Sequence, residues 1–144
     1  MRSLAFPLLF VPWGTRYRMT LSGLSILVVE DAPDIREVFS VLLRAEGADV
    51  VAVGLGREAV EFCRVRHFDV ILSDLGLPDI PGDVLIRQVL TMCRSRVCVI
   101  VVTGYGEPFI SRARQAGADV VFTKPVEWTR VLDFLHDRRL PASA

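Results

Sequence analysis

From Leu24 onward, apolar runs of strand length alternate with segments of helical period. The first run, LSILVV (Leu24 to Val29), leads into Asp31 and Pro33, a helix-start signal. Ile35, Val38, Phe39, Leu42 and Leu43 then follow the i, i+3, i+4, i+7, i+8 stripe of an amphipathic helix, which Gly47 closes. The same unit recurs. ADVVAV (Ala48 to Val53) precedes a helix predicted near Arg57 to Arg66, and FDVILS (Phe68 to Ser73) precedes one near Gly82 to Met92. VCVIVV (Val97 to Val102) precedes a helix from Pro108 to Ala116 that Gly117 stops. DVVFT (Asp119 to Thr123) precedes Glu127 to His136, where Trp128, Val131, Leu132 and Leu135 form an apolar face. Strands that read as continuous Val/Ile/Leu runs are buried on both faces, and strands alternating with helices join by right-handed crossovers. The pattern therefore predicts an α/β protein, with a five-stranded parallel, doubly wound sheet in a (βα)5 three-layer sandwich.

Composition narrows the class. A chain of 144 residues fits one domain, large enough to bury about two thirds of its unfolded surface. Its 17 basic and 17 acidic residues leave no electrostatic footprint for nucleic acid or an anionic membrane. An apolar share of 51% argues against disorder, and no uncharged apolar run reaches the ~18 residues needed to cross a bilayer. The expectation is a soluble, cytoplasmic domain with no membrane insertion. Three cysteines (Cys63, Cys93, Cys98) fit a reducing cytosol better than a disulfide scaffold, and read as buried thiols. A metal site from Cys93, Cys98, His67 and His136 would need a C-x4-C spacing and two distant histidines, which matches no compact zinc knuckle.

Residues 1–22 read as an N-terminal extension, 23–140 as the folded domain and 141–144 as a tail. The apolar stretch Leu4 to Trp13 is interrupted by Pro7 and Pro12, follows a single charge at Arg2 and lacks a small-residue cleavage site, so it is a poor signal peptide. Met19 stands just before TLSGLS, so the upstream stretch reads either as a product of start-site choice or as a short added packing segment.

In an open parallel sheet, ligands sit beyond the carboxyl ends of the strands. The residues there are Glu30 and Asp31 after the first strand, Asp74 after the third, Thr103 and Gly104 at the fourth, and Thr123, Lys124 and Pro125 at the fifth. Three carboxylates brought together raise one another's pKa unless a cation sits among them. Hard oxygen ligands suit Mg2+, which typically bridges to a phosphate. Lys124, the only lysine in the chain, stands where a compact point charge could meet phosphoryl oxygen. The acidic pair has a plainer reading as a helix N-terminal cap, with Asp31 before Pro33, but capping leaves Asp74 unexplained.

ILVVED (Ile26 to Asp31), ILSDLGLPDIPG (Ile71 to Gly82), VVTGYG (Val101 to Gly106) and GADVVFTKP (Gly117 to Pro125) together resemble the response regulator receiver domain of two-component signalling, over about Leu24 to Arg139. The resemblance implies a flavodoxin-like sandwich in stand-alone form, a phosphoacceptor domain and not an enzyme acting on a separate substrate. It implies that Asp74 accepts the phosphoryl group, that Glu30 and Asp31 bind Mg2+ with Asp31 favoured as direct ligand, and that Gly76 lends a backbone carbonyl. Thr103 would hydrogen-bond the phosphoryl group and Lys124 would pair with it, ahead of Pro125 in what is usually a cis peptide in the family. The implied donor is a phosphohistidine of a sensor histidine kinase or phosphotransfer protein. After the fifth helix only Arg138, Arg139, Leu140 and the tail PASA follow, so output is expected through contact with a downstream protein effector. The face of helix four, strand five and helix five would carry Glu107, Phe109, Ile110, Arg112, Trp128 and Arg130 in part.

One departure stands out. The family usually has Tyr or Phe three residues before the strand-five lysine, and here Val121 stands there, with Phe122 next and pointing to the opposite face if side chains alternate. Tyr105 reads equally as an aromatic at the site mouth and as an ordinary loop residue. The missing aromatic keeps open a receiver-like docking module that works without phosphorylation. An aspartyl phosphatase would show a second Asp two residues after the nucleophile, where Gly76 stands. GLGREA (Gly54 to Ala59) matches a dinucleotide fingerprint, but a complete β-α unit precedes it, and it leaves the acidic edge unexplained.

Overall fold

The computed structural model describes residues 20–139. Five strands, β1 (Ser25–Val29), β2 (Asp49–Val53), β3 (Val70–Ser73), β4 (Cys98–Thr103) and β5 (Val120–Thr123), form one parallel sheet in the order β2-β1-β3-β4-β5. Each is followed by a helix: α1 (Pro33–Ala45), α2 (Gly56–Val65), α3 (Gly82–Met92), α4 (Phe109–Ala116) and α5 (Trp128–Arg139). The period-2 alternation of side chains sorts the sheet into two cores. Ile26, Val28, Leu72, Ile100 and Val102 pack with Phe39 and Leu43 of α1 and with Val131 and Leu135 of α5. Leu27, Val29, Ile71, Val99 and Val101 pack with Ala59 of α2, Leu85, Ile86 and Val89 of α3, and Ala113 and Ala116 of α4. Two faces covered by helices give the three-layer sandwich that the apolar strands demand.

The elements differ from the sequence expectation only at their ends. β4 begins one residue late and reaches Thr103, which pairs with Thr123 of β5. β3 starts at Val70, and the preceding Asp69 ties the amino ends of β3 and β1 together: its carboxylate accepts the Ser25 N–H at 2.8 Å and its own N–H donates to the Ser25 carbonyl at 2.8 Å. α5 runs past His136 to Arg139, and Arg138 reaches Asp119 at 3.9 Å. Within the segment read as an N-terminal extension, Leu21 is fully buried and belongs to the core of α1 and α5, and its N–H donates to the Glu46 carbonyl at 2.8 Å. Leu4 to Trp13, Met19 and the tail lie outside the described residues. No helix among the described residues is long and apolar enough to cross a membrane.

Cys98 is buried and Cys63 and Cys93 are half-buried, all three as free thiols. Burial pushes the Cys63 and Cys98 thiols up to about 11, so both stay protonated at neutral pH.

The turn that resembles a dinucleotide fingerprint has no room for a phosphate. The first main-chain N–H groups of α2, from Gly56 and Arg57, donate to the two carboxylate oxygens of Asp79 at 2.8 and 2.9 Å. A helix N-terminus that could have held an external anion is thus capped from within the chain. Gly56 is there for space, since a Cβ would meet Ile80 at 3.1 Å.

Asp79 is therefore a capping residue supplied from another loop. Desolvation is the largest single influence and opposes its charge, but the N–H groups of Arg57 and Gly56 together outweigh it and hold its carboxyl below its ordinary value of 3.8. A depressed folded pKa contributes stability that is complete above that value and is lost as pH falls through the lower one. Asp79→Ala is expected to cost about 1 kcal/mol in urea unfolding at neutral pH, with the gap to wild type closing as the solution is taken below pH 3.8. A gap that stays constant down to pH 3 would show that the charge of Asp79 is not what holds the turn.

Candidate functional site

Glu30, Asp74 and Lys124 each follow a strand by one residue, and the hydrogen-bond ladder continues onto them. The Glu30 N–H donates to Val53 at 3.0 Å, the Asp74 N–H to Val29 at 3.1 Å and the Lys124 N–H to Thr103 at 2.8 Å. The chain leaves β1 for β2 on one side, while β3 lies on the other, so the acidic residues gather at the point where the winding of the sheet reverses.

There Glu30, Asp31 and Asp74 each present a carboxylate oxygen, all within 4.8 Å of one another. Glu30 is 2% exposed. Its burial, reinforced by the charge of Asp74, pushes its carboxyl up against the opposing pull of the Ala32 N–H and of Lys124. The Lys124 ammonium lies 3.1 Å from Glu30 Oε1 and 3.0 Å from Asp74 Oδ2. Burial alone would lower the pKa of Lys124, but its hydrogen bonds to Asp74 and Glu30 outweigh this and raise it. The other oxygen of Asp74 accepts the Leu75 N–H at 2.6 Å and, at 3.4 Å, the N–H of Gly76. With 12% of its side chain exposed, Asp74 can still be approached from solvent. Asp31 is exposed and does not cap α1, whose N-cap is Ala32 with Pro33 beginning the helix. One buried, one half-buried and one exposed carboxylate, all hard oxygen donors, fit a small divalent cation.

Thr103 is fully buried, and its hydroxyl accepts the Tyr105 N–H at 3.0 Å. Pro125 follows Lys124 through a cis peptide. Tyr105, which the sequence left between two readings, stands beside the site: its hydroxyl is 2.9 Å from where a Cβ on Gly76 would lie, and its ring packs on Phe109 at 5.0 Å. Val121 packs against the core of α2, α3 and α4, and Phe122 points to the other face, where it meets Phe134 edge-on at 6.3 Å. Of the residues expected on the α4-β5-α5 face, Glu107, Phe109, Arg112 and Arg130 are exposed and Ile110 is half-buried. Trp128 turns instead toward α1 and stacks on Phe39 at 5.7 Å.

Sequence reasoning missed one neighbour of the site. Arg36, on the first turns of α1, donates from Nη1 to the main-chain carbonyl of Glu30 at 2.8 Å and reaches that of Asp31 at 3.4 Å. No motif marks it, and the only trace is Gly54, which leaves it space: a Cβ there would stand 2.7 Å from Nη1.

A sequence profile of the response regulator receiver domain matches residues 26–136. The chain belongs to that family, whose members are signalling domains of two-component response regulators. The cell cycle transcriptional regulator CtrA of Caulobacter vibrioides is 28% identical over 112 residues, which make up 77% of this chain and 48% of that protein. A response regulator receiver protein of Anaeromyxobacter is 28% identical over 107 residues, 74% of this chain and 45% of that one. The chain thus spans about half the length of the curated relatives it matches. Among solved structures, a CheY-like receiver domain from Methanospirillum hungatei superposes with a TM-score of 0.75 at 28% identity, covering 79% of this chain and 91% of that one. A Burkholderia pseudomallei response regulator, solved with a phosphorylated aspartic acid, calcium ion and citrate, superposes at 0.70 with 25% identity, over 75% and 64% of the two chains.

Removing the ammonium while both carboxylates remain leaves the buried Glu30 facing Asp74 without a cation. Lys124→Met is expected to cost about 1–3 kcal/mol in urea unfolding with chelator present, below the full value for a buried pair because Lys124 is partly solvated. Adding Glu30→Gln in that background should return part of the loss. Strict additivity of the two substitutions would show that the three side chains do not act as a unit.

Proposed function

We propose that this domain accepts a phosphoryl group on Asp74 from a phosphohistidine of a sensor histidine kinase or phosphotransfer protein, and passes the signal on through contact with a downstream protein. The observation that carries this reading is the partly exposed Asp74 carboxylate, clustered with Glu30 and Asp31 and bonded by Lys124, which also bonds Glu30. The Burkholderia regulator, which carries a phosphorylated aspartic acid on the same fold, supports it by likeness.

An oxygen of Asp74 attacks phosphorus, the P–N bond to the donor histidine breaks as the new P–O bond forms, and the departing imidazole keeps the electron pair and takes up a proton. The N–H groups of Leu75 and Gly76 orient the carboxylate through one oxygen. Lys124 is released from its bond to Asp74 Oδ2 as that charge is covalently masked, and its ammonium then faces the oxygens of the acyl phosphate. Thr103, buried at the end of β4, supplies a hydroxyl to the same group. Asp31, Asp74 and the carbonyl of Gly76 would hold Mg2+, with Glu30 behind them. When bound, the ion neutralises charge on the transferring phosphoryl oxygens.

The runner-up is a docking module that works without phosphorylation, and Val121 in place of the usual aromatic favours it. Intact mass after incubation with Mg2+ and acetyl phosphate, alongside Asp74→Asn, separates the two. A single base-labile phosphoryl adduct on the wild type, absent from the variant, is the expected result. An adduct of equal yield on Asp74→Asn would remove Asp74 from its role. No adduct, with acetyl phosphate or with a phosphorylated histidine donor, would leave the docking module.

A further inference from the structure

We infer that Arg36 is a positioning residue for the cation site, acting on the main chain of the acidic pair and seated by Gly54. This rests on the reading of Glu30, Asp31 and Asp74 as the Mg2+ site. Three observations lead to it. First, Arg36 lies beside a cluster of three carboxylates, yet among the described residues it forms an ion pair with none of them. Its Nη1 donates instead to the carbonyls of Glu30 and Asp31, at 2.8 and 3.4 Å. Secondly, the carboxylates of the pair are fixed very unequally. Glu30 is held by the Ala32 N–H at 3.2 Å and by Lys124 at 3.1 Å. No hydrogen bond or ion pair to the Asp31 carboxylate occurs among the described residues, so its backbone is the only anchor of that exposed group. Arg36 is the side chain that grips that backbone, at the two carbonyls that flank the Asp31 α-carbon. Thirdly, the grip has a built seat. Gly54, just past the end of β2, leaves a gap that a Cβ would close to 2.7 Å from Nη1. The first glycine of the GLGREA turn thus makes room for an arginine.

The alternative, that Arg36 is merely a positive charge near the site, predicts the opposite sign. A charge that repels Mg2+ weakens binding, so deleting it would tighten the site. A clamp that preorganises ligands strengthens binding, so deleting it loosens the site.

The test is the Mg2+ dissociation constant from amide NMR shifts of Ala32 and Gly76, measured on the intact chain. Arg36→Ala is expected to raise it about three- to tenfold, the scale of one ordinary net hydrogen bond. Gly54→Ala keeps the charge but displaces the guanidinium, and is expected to move the constant in the same direction. An unchanged or tighter constant in a folded Arg36→Ala protein overturns the inference. Should that variant not fold, Arg36→Lys and Gly54→Ala decide it: weaker binding in Gly54→Ala supports the clamp, and wild-type affinity in both variants overturns it. Asp31→Asn separates this from failure of the underlying reading. If the wild type shows no Mg2+ shifts, or if Asp31→Asn binds as the wild type does, the cation site itself is misassigned and the clamp falls with it.

Discussion

One ammonium group balances the charge that the fold gathers at the working edge of this domain. Glu30, Asp31 and Asp74 converge because each sits at or just past a strand end at the sheet's carboxyl edge, and the ladder fixes Glu30 and Asp74 there regardless of charge. Left alone, such a cluster would drive one carboxyl to keep its proton. Lys124 answers by bonding the buried Glu30 and the accessible Asp74 at once. Asp31, the exposed member, has no hydrogen-bond or ion-pair partner for its carboxylate among the described residues. The arrangement is uneven in a useful way: the deepest carboxylate is satisfied by the protein, and the outermost is left for something else.

Most of this was legible in the chain because parallel sheets with both faces covered write their strands as unbroken apolar runs. The residues that end such runs are then conspicuous. Glu30, Asp74 and Lys124 stood out in this way, and the fold brings them together as the pattern implies. Strand ends were less legible. Phe68 reads as strand yet precedes β3, where the Asp69 carboxylate takes the Ser25 N–H at the amino end of the sheet. Trp128 reads both as part of the apolar stripe of α5 and as a candidate on the α4-β5-α5 face; it takes the first role and stacks on Phe39, a long-range partner that the period of α5 alone does not name.

What the sequence could not express is space. GLGREA matches a phosphate-binding fingerprint, since glycines before a helix can admit an anion, although its place after a complete β-α unit already argues against one. Here both glycines are filled by the protein's own side chains: Gly54 borders Arg36 and Gly56 borders Ile80, while Asp79 occupies the helix N-terminus. These partners lie 18 and more residues away along the chain, so no local motif could name them.

That turn also sits between the two loops that matter most. Through Gly54 it accommodates Arg36, which bonds the carbonyls of the acidic pair after β1. Through Gly56 and Arg57 it bonds Asp79, five residues past Asp74 in the loop after β3. β1 and β3 are neighbours in the sheet, but their loops diverge into α1 and α3 on opposite faces. A short β2-α2 turn that touches both gives the diverging loops a common support without entering the site. The glycines are needed for that closeness: a Cβ at Gly54 would stand 2.7 Å from Arg36 Nη1 and displace the guanidinium, and one at Gly56 would press on the Ile80 side chain at 3.1 Å, next to the Asp79 that caps α2.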